Sequence, residues 1–586
     1  MAYRSSYRRG ILGAGLLLAG LLAAPLPGSA QIVFDGNIVF GTGNLTQAGQ
    51  YRTDNMTANC PAAFTTQLMA ESAYTNNSYV DPLLTASLPP TTTPNWIPGI
   101  GSPAWGGVAG HGKSVNVPAD GWFEQTCYTG ALDQDPGQDW TQGWTYYDSL
   151  GTGRTDIITG RPVRILDNIR FGGPYTMVND SDYVFRGQIR VLNGGVLRIE
   201  PGTVCFGEKS TTGTLIIERR GIILAEGTPT QPIIMTSDDL PGSQVRGSWG
   251  GLNILGRARV NCIGVNPPGD VDTCLSEGGA IGTYGGDDDA DSSGVLRYVR
   301  VEYAGKEITT DNELNSFTFN AVGSRTVLEF LQAHRGSDDG LEFFGGTAQI
   351  KRSIATDGTD DGFDWQVGYR GKAQFIILRS SQDLTPSSTG GAGQAGEKGI
   401  EADNYEFGFE NLPRSNPALA NFTIVGDRRS GPGGGNGIQL RRGSAGAILN
   451  SIVYNHEQQA LRVTDGSTWD ATCTGGNFVA NPPGLFCSQS VAVTPIAGGN
   501  VLLTRGTPNP FRTSLAIRFT LPKSAHVRIT MFDASGRLVD TLAERDMEAG
   551  DQLVPWDGAS SRPAGLYFYR VEAGDLSSQG KVVRAD

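Results

Sequence analysis

A short motif recurs along the middle of the chain and restricts the folds that are open to it. Residues 338–343 (DDGLEF) match residues 360–365 (DDGFDW) at an offset of 22 residues. The pattern continues more loosely from Glu397, Gly435 and Gln458, at offsets of 37, 38 and 23 residues. A period of about 20–25 residues that combines a strand-forming segment with a glycine turn predicts a parallel β-solenoid, because each coil buries its apolar side only against the next coil.

The solenoid gives each repeat an inward and an outward side. The fourth residue of each motif is apolar and is predicted to face the shared core, at Leu341, Phe363, Ile400, Ile438 and Leu461. No segment shows sustained 3.6-residue periodicity, so strands should dominate. A β-propeller is the main alternative, but its blades need about 40–50 residues and a Trp/Gly pattern that this sequence lacks. We therefore expect an all-β chain.

The first 30 residues have the features of a secretory signal. Three arginines precede an apolar run over residues 11–24, and the small residues 28–30 form a cleavage site before Gln31. The run is too short for a comfortable membrane span, and no later segment approaches about 18 apolar residues. We expect residues 1–30 to be removed, which leaves a mature protein without a transmembrane span. The net charge of −13 makes nucleic acid an unsuitable partner.

The seven cysteines suit an oxidising compartment. Cys262 and Cys274 lie 12 residues apart, and Cys473 and Cys487 lie 14 residues apart, each pair across a loop that contains glycine and proline. Both pairs are predicted to form local disulfides, since no Cys-x-x-Cys motif or nearby histidine indicates a metal. The pairing of the other three is left open: Cys60, Cys127 and Cys205.

Stacked acids are the main candidates for a functional site. The stacking of coils places Asp338 and Asp339 almost directly above Asp360 and Asp361, at about 4.8 Å. Carboxylates this close repel each other unless a cation bridges them or one takes up a proton. Calcium suits such a site, and solvated turn aspartates are the alternative interpretation. The candidate calcium ligands are Asp287, Asp289, Asp291, Asp338, Asp360 and Asp364.

A second acidic column follows the motif glycines. Glu342, Asp364 and Glu401 alternate with the apolar column, so they are predicted to face outward.

Four segments upstream of the repeated motif carry a family resemblance. They are residues 194–203 (GGVLRIEPGT), 231–237 (QPIIMTS), 248–256 (SWGGLNILG) and 285–291 (GGDDDAD). They resemble the coils of bacterial surface proteins of the right-handed β-helix, pectin-lyase-like type. The resemblance implies export and a right-handed parallel β-helix, which we place at residues 166–495, but it implies no particular reaction.

The region between the signal and the solenoid, residues 31–165, is rich in tryptophan. It holds five of the nine tryptophans: Trp96, Trp105, Trp122, Trp140 and Trp144. A solenoid end exposes strand edges and apolar interior, so we expect this region to be a cap. An aromatic platform for sugars is the alternative interpretation.

From about residue 500 the sequence changes to alternating strands that suit a small β-sandwich. Short motifs follow in order: PNPF (508–511), LP (521–522), WDG (556–558), GLY (565–567) and KVVR (581–584). They resemble the type A C-terminal sorting domain of the type IX secretion system. The resemblance implies an immunoglobulin-like β-sandwich at residues 500–586, passage across the outer membrane by the type IX machinery, and then removal of the domain.

Enzymatic activity is left open by the sequence. Polysaccharide lyases on this fold combine calcium-binding acids with an arginine or lysine base, and solenoid glycosidases use clustered aspartates. The His-Gly and Arg-Ile-Lys elements expected of polygalacturonase-like enzymes are absent. The candidate catalytic residues are Asp338, Asp339, Asp360, Asp361, Lys351 and Arg352.

These observations together predict an exported protein, released from or attached to the outer surface of a Gram-negative bacterium. Its expected role is structural, adhesive or glycan-binding, with surface or extracellular glycans as partners. The alternative is a carbohydrate-active lyase or hydrolase.

Overall fold

The computed structural model describes residues 32–40, 51–54, most of 79–147, 160–262, 273–309, 312–381, 398–428, 435–468 and 504–584, with short gaps inside some of these ranges. Regular structure in these parts is almost entirely β-strand. Two 3-10 helices, Pro136–Gln138 and Lys209–Thr211, are each a single turn. No helix among the described residues is long and apolar enough to cross a membrane.

The strands of the N-terminal region and the body are, in chain order, β1 Ile32–Asp35, β2 Ile38–Phe40, β3 Tyr51–Asp54, β4 Val163–Asp167, β5 Arg170–Phe171, β6 Pro174–Met177, β7 Asp182–Arg186, β8 Gln188–Val191, β9 Val196–Ile199, β10 Val204–Gly207, β11 Thr214–Ile217, β12 Ile222–Glu226, β13 Ile233–Ser237, β14 Leu252–Leu255, β15 Cys274–Leu275, β16 Thr283–Tyr284, β17 Gly294–Glu302, β18 Lys306–Thr309, β19 Asn312–Leu314, β20 Phe317–Asn320, β21 Val327–His334, β22 Leu341–Phe344, β23 Gln349–Thr356, β24 Phe363–Gln366, β25 Lys372–Arg379, β26 Ile400–Ala402, β27 Ala418–Val425, β28 Ile438–Leu440, β29 Gly446–Leu449, β30 Ile452–Tyr454 and β31 Leu461–Thr464.

Most of these strands stack as a parallel β-helix with two long sheets. Sixteen strands form one sheet and eleven form the other. One coil runs from β21 through β22 to β23, which pairs in parallel with β21. β24 pairs with β22 in the same way. The parallel β-helix predicted from the repeated motif is therefore confirmed.

The predicted inward column lies in the core. Leu341, Phe363, Ile400, Ile438 and Leu461 are direct partners in consecutive strands of the eleven-stranded sheet, and each is fully buried. They belong to one continuous apolar cluster that extends from coil to coil.

The long strands of the sixteen-stranded sheet bend near their middle. Tyr298, Phe330, Arg352, Phe375 and Asn421 occupy equivalent positions in consecutive coils, each with φ between +51° and +61°. This left-handed conformation is costly for residues other than glycine, so its repetition shows that stacking imposes it. The bend divides each strand into two arms. The five residues at the bend form a row along the solenoid, which we call the bend row.

The N-terminal strands form one more coil, stacked on the coil of β29, β30 and β31. β1 pairs with β29, β2 with β30 and β3 with β31, all in parallel. Asn37, between β1 and β2, also links the two coils, because its side-chain amide donates to the Ile448 carbonyl at 3.0 Å. The predicted division at residue 165 separates these strands from the solenoid, whereas their pairing makes them part of it.

The described residues between 79 and 147, which we call the wall segment, follow these strands in the chain and lie against the outside of the solenoid. The backbone amide of Glu124 donates to Gln374 Oε1 at 2.8 Å, and the amide of Tyr146 donates to Gln332 Oε1 at 2.7 Å. The segment therefore contacts several successive coils before the chain enters β4.

Two tryptophans of the wall segment, Trp140 and Trp144, pack against the bend row. Trp144 is fully buried, and its ring meets the rings of Tyr298 and Phe330 edge-on. Trp96 and Trp105 are also buried. These three rings cannot present a platform to sugars, while Trp122 and Trp140 are half-buried.

The C-terminal region forms two antiparallel sheets. Its strands are β32 Thr504–Thr507, β33 Ala516–Leu521, β34 Ala525–Asp533, β35 Leu538–Met547, β36 Gly550–Pro555, β37 Gly565–Ala573 and β38 Leu576–Arg584. One sheet has the order β32-β33-β36 and the other β35-β34-β37-β38. Residues of both sheets, among them Ile517 and Ile529, share one apolar cluster. The region is thus a small β-sandwich, and its immunoglobulin-like character stays a prediction.

Cys262 and Cys274 lie at disulfide distance, with Cα atoms 6.1 Å apart. Cys205 is a buried thiol, and burial raises its pKa. The signal segment 1–30 and four cysteines lie outside the described residues: Cys60, Cys127, Cys473 and Cys487.

Candidate metal centre

Polar side chains at the turns before several strands of the eleven-stranded sheet connect one coil to the next. Asn315 Oδ1 accepts a hydrogen bond from the backbone amide of Asp339 at 2.9 Å, and Asp339 Oδ1 accepts one from the amide of Asp361 at 2.8 Å. Asn436 repeats this contact with Gln459 at 3.2 Å. Asp339 and Asp361 are only 4% and 2% exposed. They are therefore buried links between coils, and the interpretation as solvated turn aspartates is wrong for them.

The second acidic column is also stacked as predicted. Thr318, Glu342, Asp364 and Glu401 are direct partners in β20, β22, β24 and β26. The side chains alternate with the core residues, so they lie on the face away from the core. They are nevertheless buried: Glu342 is 3% exposed, and Asp364 and Glu401 are 7% exposed.

A cover of apolar side chains explains this burial. Ile281, Tyr284 and Tyr405 come from connections outside the regular coils. They form one cluster with Phe344 and Val367, which lie beside the acidic column. The acids thus lie between the eleven-stranded sheet and these connections. We call Asp338, Asp339, Glu342, Asp360, Asp361, Asp364, Glu401 and Asp403 the acid cluster.

Basic side chains neutralise one half of the acid cluster. Lys398 Nζ lies 2.9 Å from Glu401 Oε1 and 3.5 Å from Asp361 Oδ2. Arg441 Nε lies 2.7 Å from Asp403 Oδ1, and its guanidinium also binds Glu401.

The other half of the cluster has no such partner. Among the described residues, no lysine, arginine or histidine lies within 4.0 Å of the carboxylates of Asp338, Asp339, Glu342 or Asp364. Burial raises the pKa of each of these four acids well above its usual range, and repulsion from neighbouring carboxylates adds to the effect. Such a group stays buried either by holding protons or by binding a cation.

Two sets of carboxylates converge closely enough to hold a metal ion. Oxygens of Asp338, Asp339 and Asp360 lie within 4.8 Å of one another, and so do oxygens of Asp339, Glu342 and Asp364. The two sets share Asp339. All three acids predicted as calcium ligands in the repeats, Asp338, Asp360 and Asp364, fall in these sets.

The other predicted calcium ligands are placed differently. Asp289 Oδ2 lies 3.0 Å from Arg370 Nη1 and also binds Arg259, and Asp291 Oδ1 lies 2.8 Å from Arg257 Nη2. Burial opposes ionisation of Asp289, but hydrogen bonds from the two arginines outweigh it and lower its pKa. A cation at these residues would have to displace the arginines. Asp287 belongs to neither converging set among the described residues.

The predicted catalytic bases do not meet the acids. Lys351 Nζ donates to the Trp122 carbonyl at 2.6 Å and lies 3.1 Å from Glu124 Oε1. Arg352 also binds Glu124. Both therefore hold the wall segment, whereas the lysine beside the acids is Lys398. Its place in the repeat, equivalent to Asp361, is the signal from which it could have been found.

Comparisons with known proteins agree with this architecture. Residues 173–483 match the family model of the pectate-lyase-like β-helix domain, and the chain belongs to this family. Residues 507–584 match the secretion system C-terminal sorting domain. The protein is therefore an exported β-helix protein, surface-bound or secreted, that carries a sorting tail for the type IX machinery.

Among solved structures, the chain is similar to the enzymatically active domain of tailspike protein 2 from bacteriophage CBA120. The identity is 9% and the TM-score is 0.24, over 69% of this chain and 72% of that chain. This likeness is too distant to bear on function. No curated protein sequence matches the chain.

Proposed function

We propose that the mature protein is a scaffold at the outer surface of a Gram-negative bacterium, or released from it, with a structural, adhesive or glycan-binding role. The sorting tail and the β-helix body support export and an extended shape. The observation that carries the proposal is the burial of the acids. Glycosidases and lyases need an acid and a base that reach the substrate. Here Asp339, Glu342, Asp361 and Asp364 are covered, and Lys398 is held by carboxylates.

The carbohydrate-active alternative needs a groove beside the acids that admits a sugar. A cavity lies beside the turns, lined in part by Gly336, Gly358, Asp360 and Arg379, and its volume is about 10 Å³. This is room for about one water molecule and far below the range of about 300–1,000 Å³ that is usual for ligand pockets. Arg379 is not available as a base there, because its guanidinium is ion-paired with Asp357.

A glycan array probed with the purified mature protein shows which glycans it binds. Each glycan that is bound is then incubated with the protein, and the length of the glycan chain is measured before and after. The proposal expects retention without shortening of the glycan. Shortening that is lost in Asp360→Asn would establish the enzymatic alternative instead. Protease treatment of intact cells provides the second readout, since a surface protein is digested while a periplasmic one is protected.

A further inference from the structure

We infer that Asp339, Glu342 and Asp364 bind a calcium ion inside the molecule, between the eleven-stranded sheet and its apolar cover. One carboxylate oxygen from each residue lies within 4.8 Å of the other two. All three side chains are more than nine-tenths buried. The backbone fixes their spacing, because Glu342 and Asp364 are direct partners in adjacent strands and Asp339 lies in the turn just before β22.

Unpartnered polar atoms on both sides of Glu342 indicate a ligand. Asp364 Oδ1 is buried and accepts no hydrogen bond from any described residue. Thr318 is the partner of Glu342 in β20, and its buried hydroxyl also lacks a hydrogen bond. Buried polar atoms are nearly always satisfied in native proteins, so two such atoms in one column require an explanation. A bound cation would explain the Asp364 oxygen, because that oxygen would coordinate the ion. The Thr318 hydroxyl oxygen could coordinate the same ion.

The remaining contacts orient the ligands. The Asn315 side-chain amide donates to Glu342 Oε2, and the Asp361 backbone amide donates to Asp339 Oδ1 at 2.8 Å. Hydrogen bonds of this kind fix metal-binding carboxylates in position while leaving further lone pairs for the ion. Lys398 binds Glu401 and Asp361, and Arg441 binds Asp403 and Glu401, so these two cations are taken up by other acids and neither lies within 4.0 Å of the three carboxylates.

The donor set specifies the class of ion. Every ligand is an oxygen, and three are carboxylates, a set that hard divalent cations prefer over transition metals. Calcium accepts irregular coordination by six to eight oxygens, whereas Mg²⁺ demands a near-ideal octahedron. Ligands fixed by strand register favour the more tolerant ion. The adjoining set of Asp338, Asp339 and Asp360 is less buried at two of its members and gives the ion a route from solvent.

Calcium titration of the full mature protein, stripped with chelator, tests the inference. Isothermal titration should show saturable binding. At a hundredfold excess over the dissociation constant, calcium should raise the melting temperature of the β-helix by about 4 °C. Magnesium at the same concentration should give a smaller rise.

Three conservative variants locate the site. Asp364→Asn and Glu342→Gln should abolish most of the calcium-induced rise. In chelator both should melt at or above the wild-type temperature, because each replaces a buried acid that has no basic partner with a neutral amide. Glu401→Gln is the matched control: it changes a buried acid of the same column that already has basic partners, so it should keep the calcium response.

Two outcomes would overturn the inference. Absence of binding heat, with identical melts in calcium and chelator, would show that protons alone neutralise the acids. A calcium response that survives in both Asp364→Asn and Glu342→Gln would show that the ion binds elsewhere.

Discussion

The aromatic stack around Phe363 tests whether the coils share one core. The Phe363 side chain is fully buried. Its ring centroid lies 4.9 Å from that of Phe343 on the preceding coil, 5.7 Å from that of Phe422 and 6.1 Å from that of Trp365. The ring thus joins adjacent coils and both long sheets. We predict that Phe363→Ala destabilises the β-helix strongly.

The size of the effect follows from the burial and the length of the body. Truncation of a buried phenylalanine to alanine costs about 3–5 kcal/mol. The entropy of unfolding is about 2.1 cal/mol/K per residue, which gives about 0.6 kcal/mol/K for a body of about 300 residues. The melting temperature should therefore fall by about 5–8 °C.

Calorimetry of the purified mature protein measures this shift. Phe407→Ala is the control, because Phe407 is 76% exposed and its loss should change the melting temperature by less than about 1 °C. If Phe363→Ala melts no lower than Phe407→Ala, Phe363 is not in a shared core and the strand register described above is wrong.

Three further predictions concern charge, covalent bonds and export. In chelator, the stability of the protein should fall as the pH rises above about 4, because the raised pKa values of the acid cluster make the folded chain bind more protons than the unfolded chain. Thermal melts across a range of pH should show this fall, and saturating calcium should reduce it. A melting temperature in chelator that does not change with pH would contradict the prediction. Peptide mapping without reduction should recover a linkage between Cys262 and Cys274 that contributes roughly 2–4 kcal/mol, and two free thiols in exported protein would disprove it. Deletion of residues 500–586 should leave a folded β-helix in the periplasm, as judged by cell fractionation, and arrival of the truncated chain at the surface would show that the domain is not needed for sorting.

The repeated motif made the body of the fold predictable. A fixed offset of 22 residues between matching segments determines both the parallel register and the inward column, because stacked coils place equivalent residues together. The pairing of β1 with β29 carried no such signal. Its partners lie more than 400 residues apart and share no motif, so only the three-dimensional structure reveals it.

The acid cluster was predictable in its stacking but not in its burial. Register follows from the repeat, and it correctly placed Asp364 below Glu342. Burial depends on Tyr284 and Tyr405, which lie in connections that interrupt the repeat and whose path no periodicity determines. For the same reason the pairing of Lys398 with Glu401 was missed, since an insertion separates this coil from the one before it.

The pairing of β1 with β29 has a consequence for the order in which the β-helix can be assembled. Synthesis at about 5–20 residues per second means that β29 follows β1 by roughly 20–80 s. During this interval the segment that forms β1, Ile32–Asp35, lacks the strand with which it pairs. Unpaired backbone groups of this kind are prone to pair with other chains. The earliest part of the body to be made is therefore among the last to reach its place. A chain that stops short of β29 leaves its own beginning unpaired, and in this way the β-helix is complete only when its whole length has been delivered.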